Sequence, residues 1–246
     1  MENRALIIEK ILKEVSQEDP EVRDRYLVEF KHEIDEFVGF MADAFMRWRA
    51  LDSAIGPNKN LGHISAFVYS AITLHILSLK LFLSGHLVAA GNLMRQVVEA
   101  MAMALLCSST SLGVLDKFII GQYSTQKAIA QVIKHSKKLG LKKEALEDIK
   151  RAQLFYHDYS HLSRFTLASH MAFESEGALY VGCSFDEGKI DQYQKEMAGR
   201  VGLSRVFPNF IQAVSHNIGI EQTPRNKDRF CKKNQLQNVI FNGVDE

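Results

Sequence analysis

Apolar residues recur along most of this chain at the i, i+3, i+4 spacing that gathers them on one face of an α-helix. Residues 5–17 carry Leu6, Ile7, Ile8, Ile11, Leu12 and Val15 in such a stripe. Asp19-Pro20 interrupts it, and a proline suits the first turn of a new helix. That second helix keeps its stripe through Val22, Tyr26, Leu27, Phe30, Ile34, Phe37, Met41, Ala44, Phe45 and Trp48, and it stops near Gly56-Pro57-Asn58. The pattern predicts four more helices over 64–83, 87–107, 114–139 and 142–160. Ser84-Gly85, the run Ser108-Ser109-Thr110-Ser111 and Gly140 separate them.

Over 171–185 the hydrophobic period shortens towards two around Glu176-Gly177, which predicts a short β-hairpin. A last helix is expected over 189–218, bent near Phe207-Pro208. From Glu221 the chain turns polar, with Arg225, Lys227, Arg229, Lys232 and Lys233. The reading is an all-α helical bundle with a small β-hairpin insertion. It forms a single helical domain over 1–220, with N-terminal helices in 1–55, followed by a polar basic tail over 221–246.

Composition changes this picture little. With 246 residues, 46% hydrophobic and 24% charged, the chain is long enough to bury a sizeable core and too apolar to be disordered. A net charge of +1 removes the simplest argument for a nucleic-acid binder but leaves room for a local basic patch. The three cysteines, Cys107, Cys183 and Cys231, are far apart and form no Cys-x-x-Cys pair, so reduced thiols and a cytoplasmic setting are expected. The N-terminus lacks the apolar core of a secretory signal. The stretch 64–83 has the length of a membrane span, yet His75, Lys80 and several hydroxyls interrupt it. The centre of a bundle fits better than a bilayer, and no membrane partner is expected.

Two segments could carry chemistry. Arg95 and Glu99 stand one turn apart on an otherwise apolar helix, either as a charged pair facing a polar pocket or as an ordinary ion pair fixing helix packing. The run 155–164 packs Tyr156, His157, Asp158, Tyr159, Ser160, His161, Ser163 and Arg164 together, offering acid–base groups, donors and an anion contact. Its plainer reading is a polar helix end satisfied by its own caps. His157 and His161 have metal-ligand spacing but no companion motif, so no metal and no cofactor is expected. His75 reads as a hydrogen-bonded core histidine. The nucleotide-binding, zinc-protease and serine-hydrolase motifs are absent. Lys134, Lys137, Lys138, Lys142 and Lys143 form a basic run that could face RNA, or simply a solvated turn.

In order and spacing, these segments resemble bacterial proteins related to HEPN-type helical domains. Leu93, Arg95, Glu99 and Ala100 match a first element of the form L-x-R-x-x-x-E-A. Tyr156, Ser160, His161 and Ser163 match a second, with a shifted Ser-to-His spacing. The resemblance covers about 60–220. It implies a HEPN-like core, a likeness to metal-independent endoribonucleases with an Arg-x(4–6)-His motif, a role in stress or phage defence, and a homodimer. Arg25–His32, Arg151–His157 and Arg164–His170 satisfy that spacing, with Ala152 standing where the family has a polar residue. On this reading His157 or His161 handles the proton and Arg95 or Arg151 holds phosphate. Glu99, Tyr156, Ser160, Ser163 and Arg164 then line the site, and RNA is the partner. The alternatives are a non-enzymatic helical interaction module and a bundle that binds a small anionic ligand.

Overall fold

A computed structural model describes residues 4–17, 19–141, 143–161, 163–173 and 182–220, with the side chains of all but 143–148, 160 and 165. Ten α-helices are described: α1 Arg4–Ser16, α2 Pro20–Glu29, α3 Lys31–Ile55, α4 Lys59–Leu83, α5 Leu87–Ser108, α6 Val114–Ile119, α7 Ala128–Lys134, α8 Lys143–His157, α9 Arg164–Ser169 and α10 Ile190–Asn217. The all-helical expectation is met. The hairpin expected over 171–185 falls mainly on 174–181, outside the described residues. On its described flanks only an isolated bridge residue, Met171, departs from helix, turn and coil. The basic tail also lies outside the described residues.

Local chemistry sets the helix starts. The Asp19 carboxylate accepts the backbone N–H groups of Glu21 and Val22 at 3.1 and 3.2 Å, with Pro20 in the first helical position. Asn58 does the same for α4 through Asn60 and Leu61. Two expected helices are broken. The helix expected from Pro20 bends at Phe30, where φ is −110° and ψ 25°, while the hydrogen bonds from Phe30 N–H to Tyr26 and from Ile34 N–H to Phe30 continue across it. The bend accompanies burial of both the Tyr26 and Phe30 rings against Phe82, at 5.2 and 5.8 Å.

The helix expected over 114–139 is really α6 and α7 with a loop between. Gly121 takes a φ of +72°, its N–H bonds to Phe118 carbonyl, and the Gln122 N–H reaches back to Lys117. This is the double hydrogen bond with which a glycine closes a helix. The same arrangement at Gly85 turns α4 directly into α5.

That tight turn makes α4 and α5 an antiparallel pair at the centre of the bundle. α3 packs on α4 and on α10, while α5 also meets α7, α8 and α10. One contiguous apolar core draws on α2 to α7 and α10. Among the described residues α4 is the helix long and apolar enough to cross a membrane, with a mean hydropathy of 1.7. Here it is a core helix, burying Ile64, Val68, Ile72 and Phe82 together with the polar Ser65, His75 and Ser78. Cys107 is buried on α5, where desolvation pushes its thiol up to about 12. By contrast, no side chain of α1 is buried, and its apolar stripe is 41% to 80% exposed.

Candidate functional site

The polar run at the end of α8 divides between inside and outside. A helix directs residues 156 and 157 about 100° apart, so Tyr156 and Tyr159 turn inward while His157 and His161 turn out. Tyr156 and Tyr159 are buried against Met94 of α5. The imidazole rings of His157 and His161 lie 4.6 Å apart, edge to face, and both residues are exposed. Asp158 and Arg164 are exposed at the same junction between α8 and α9, and Arg151 is exposed on α8, six residues before its end.

Ser163 is the N-cap of α9. Its hydroxyl accepts the Thr166 N–H and donates to the Asp158 carbonyl, while the Thr166 hydroxyl accepts the Ser163 N–H. The plainer reading of this residue, a helix cap, is therefore the observed one. Ser160 belongs to the short 3-10 turn Asp158–Ser160, and its side chain is outside the description.

Arg95 and Glu99 form the expected i, i+4 ion pair, Nε to Oε1 at 3.1 Å, with side chains 25% and 23% exposed. Gly91 lies against the Tyr159 ring and Met94 against Tyr156 and Tyr159, so α5 runs past the end of α8 in close contact. Of the Arg25–His32 candidate, Arg25 pairs with Glu187 at 2.6 Å and lies over the Phe185 ring at 4.4 Å, while His32 is exposed at the start of α3. Arg25, Glu187 and Phe185 line an open cavity of about 630 Å³ with Asp24, Val28, Glu29 and Ile190. Arg164 and His170 bracket α9 and are both exposed. Lys134, Lys137 and Lys138 are exposed around the end of α7, and Lys142 lies outside the described residues. Among the described residues no three His, Cys, Asp or Glu side chains gather as metal ligands would.

The inward half joins a network that the pattern of the sequence did not bring out. Arg200 of α10 is wholly buried. Its Nη1 donates to Glu196 Oε2 at 2.5 Å and to the Glu196 carbonyl at 3.0 Å. Its Nε donates to Ser78 of α4 at 3.2 Å, and Ser78 donates to the Ala90 carbonyl of α5 at 2.9 Å. The guanidinium also lies 4.6 Å over the Phe82 ring. The Tyr159 hydroxyl donates to Glu196 Oε1 and accepts from Gln192 Nε2 at 3.3 Å.

Burial raises the Tyr159 hydroxyl well above its ordinary range, and the Glu196 carboxylate reinforces the effect. Burial alone would lower Arg200, but Glu196 and the two tyrosines outweigh it and hold the guanidinium charged. His75 Nε2 donates to the Arg200 carbonyl at 3.0 Å, and its ring stacks on Phe207 at 5.3 Å. Desolvation, with Arg200 adding to it, pulls that imidazole down to about 3, so it is the neutral core histidine the sequence suggested. Among the described residues Arg200 Nη2 and Tyr156 Oη find no hydrogen-bond partner.

The signal for this network is present in the chain. Glu196 and Arg200 have the same i, i+4 spacing as Arg95 and Glu99, set among the small residues Gly199, Gly202 and Ser204. Its chemistry is that of a buried tie joining α4, α5, α10 and the turn after α8. The outward face offers two imidazoles and nearby guanidinium groups to solvent. No family model, curated protein or solved structure matches the chain.

Proposed function

We propose that the chain is a HEPN-like protein that binds RNA, and cuts it without metal, at the outward junction of α8 and α9. The observation that carries this reading is the exposed pair of imidazoles, His157 and His161, 4.6 Å apart. Arg164 supplies positive charge at the same junction, and Arg151 adds an exposed guanidinium earlier on α8. Two adjacent histidines suit internal transesterification of a ribose phosphodiester. One neutral ring takes the 2′-hydroxyl proton as that oxygen attacks phosphorus, and the other, as the cation, protonates the departing 5′ oxygen. The products are a 2′,3′-cyclic phosphate and a 5′-hydroxyl. Guanidinium groups stabilise the extra charge on the phosphate oxygens. In this reading Tyr156 and Ser163 support the site by packing and capping rather than by touching substrate.

The test is incubation of the purified protein with a mixed RNA pool in EDTA, beside His157→Ala/His161→Ala. Fragments ending in 2′,3′-cyclic phosphate are expected from the wild type. The double variant should keep its fold, since both rings are exposed, and lose about 10²–10⁴-fold in rate. RNA bound but left intact by the wild type would reduce the proposal to binding. Neither binding nor cleavage would overturn it in favour of a non-enzymatic interaction module. One observation favours that second reading: Tyr156 and Ser163 are already committed to core packing and capping.

A further inference from the structure

α3 is apolar on two opposite sides. Its inner side buries Phe37, Met41, Ala44, Leu51 and Ile55. Its outer side should be polar in a helix that serves one chain only. Instead, the positions that share the outer face with Ala42 at i±3, i±4 and i±7 are Asp35, Val38, Gly39, Phe45, Met46 and Arg49, and all of them are exposed. Val38 is 56% and Met46 60% exposed. α4 continues the surface. Phe45, Trp48 and Tyr69 form a ring-to-ring run across the two helices, with centroids 5.2 and 4.6 Å apart, and Ile76 and Leu77 of α4 are exposed as well.

Gly39 sharpens the point. A glycine inside a helix is less favourable than alanine, because its backbone loses more freedom on folding. Among the described residues nothing lies within 4 Å of where a Cβ on Gly39 would stand, so none of them requires it.

We infer that this face pairs with a second copy of the same chain, α3 against α3 in antiparallel register about a two-fold axis at Ala42. Asp35 and Arg49 each stand seven residues from Ala42, about 10 Å along the helix on either side. The axis therefore sets Asp35 of one protomer opposite Arg49 of the other, at both ends of the contact. Neither residue makes an ion pair among the described residues. Val38 meets Met46 of the partner subunit, and the partner's Phe45 lies over Gly39, where a side chain would obstruct it. Gly39 and Ala42 let the two backbones approach.

Val38, Phe45, Met46, Tyr69, Ile76 and Leu77 leave on the order of 500 Å² of side-chain surface open, most of the ~800 Å² per partner in a standard interface. Opposite charges flanking an apolar strip at equal distances from its centre fit a copy of the same helix better than a lipid surface.

Sedimentation velocity of the full chain, across a concentration series, tests the pairing without reference to RNA. A dimer of twice 27.8 kDa is expected. Ala42→Glu places two like charges on the axis and should weaken dimerisation tenfold or more with an unchanged circular dichroism spectrum. Asp35→Arg alone and Arg49→Asp alone should each weaken it, and the two together should restore it. Ala42→Cys should form a symmetric disulfide on mild oxidation that the wild type does not. A wild-type chain that stays monomeric overturns the inference, as does a dimer indifferent to Ala42→Glu and to both charge reversals. A monomer that instead sediments with phosphatidylcholine vesicles overturns it in favour of lipid.

Discussion

Two glycines in helices make opposite predictions because of what surrounds them. A Cβ at Gly91 would enter the Tyr159 ring, which is held in place by Glu196. Gly91→Ala is therefore expected to destabilise the fold by about 1–3 kcal/mol, measured by urea unfolding. Gly39 has open space around it, so in the monomeric Ala42→Glu background Gly39→Ala should stabilise by about 0.5–1 kcal/mol.

His75 carries a pH dependence of definite sign. Its imidazole titrates near 6.5 when unfolded and near 3 when folded, so between these values the unfolded chain holds the extra proton. The contribution is fully present above about pH 6.5 and is lost as pH falls towards 3, at up to about 1.4 kcal/mol per pH unit. Between pH 7 and pH 5 the wild type should lose about 2 kcal/mol more than His75→Gln, whose amide can still donate to the Arg200 carbonyl. Unfolding midpoints of both proteins at the two pH values check this. The buried state of His75 was legible from its apolar surroundings in the sequence. The division of the run 155–164 was not, because residue types show which side chains can bond and not which of them face the core.

At the scale of elements, Arg200 and Glu196 join α10 to α4, α5 and the turn after α8. Removing one charge strands the other in the core, so Arg200→Met should cost about 3–5 kcal/mol. Arg200→Met with Glu196→Gln should recover part of that loss, and a double-mutant cycle in urea measures how much. Ser163→Ala removes the cap of α9 and should cost about 1 kcal/mol, read as faster hydrogen exchange at the Thr166 amide. The helix start at Pro20 was readable because a capping side chain and its targets lie within three residues of each other. The apolar pattern instead placed the start of α4 at 64, five residues after Lys59, where Asn58 caps it. The closure of α6 at Gly121 was missed by the single helix expected over 114–139. The apolar spacing continues beyond that glycine, and the reach of Gln122 back to Lys117 is a property of three dimensions. The Glu196–Arg200 pair has an ordinary surface spacing, and only packing against α4 and α5 makes it a buried tie.

Across the whole molecule, the turn at Ser84-Gly85 was readable as a break between two helices, and the central place of α4 follows from its apolar length. The opposite fates of two apolar stripes did not follow. The stripe of α1 and the inner stripe of α3 look alike in sequence, yet one is exposed and the other fills the core. The difference is where neighbouring helices end up, which depends on contacts far apart in the chain.

The outer face of α3 has a practical consequence. Trp48 is the one tryptophan in the chain. Its indole N–H donates to Ser65 at 2.9 Å, which in turn donates to Asp52 at 2.6 Å, and its ring lies between Phe45 and Tyr69. Fluorescence excited selectively in indole therefore comes from one spot at the edge of that face, with a single chromophore in a defined electrostatic setting. Anything that covers Phe45 and Tyr69 changes the polarity around that spot, so the protein carries its own optical reporter of occupancy there.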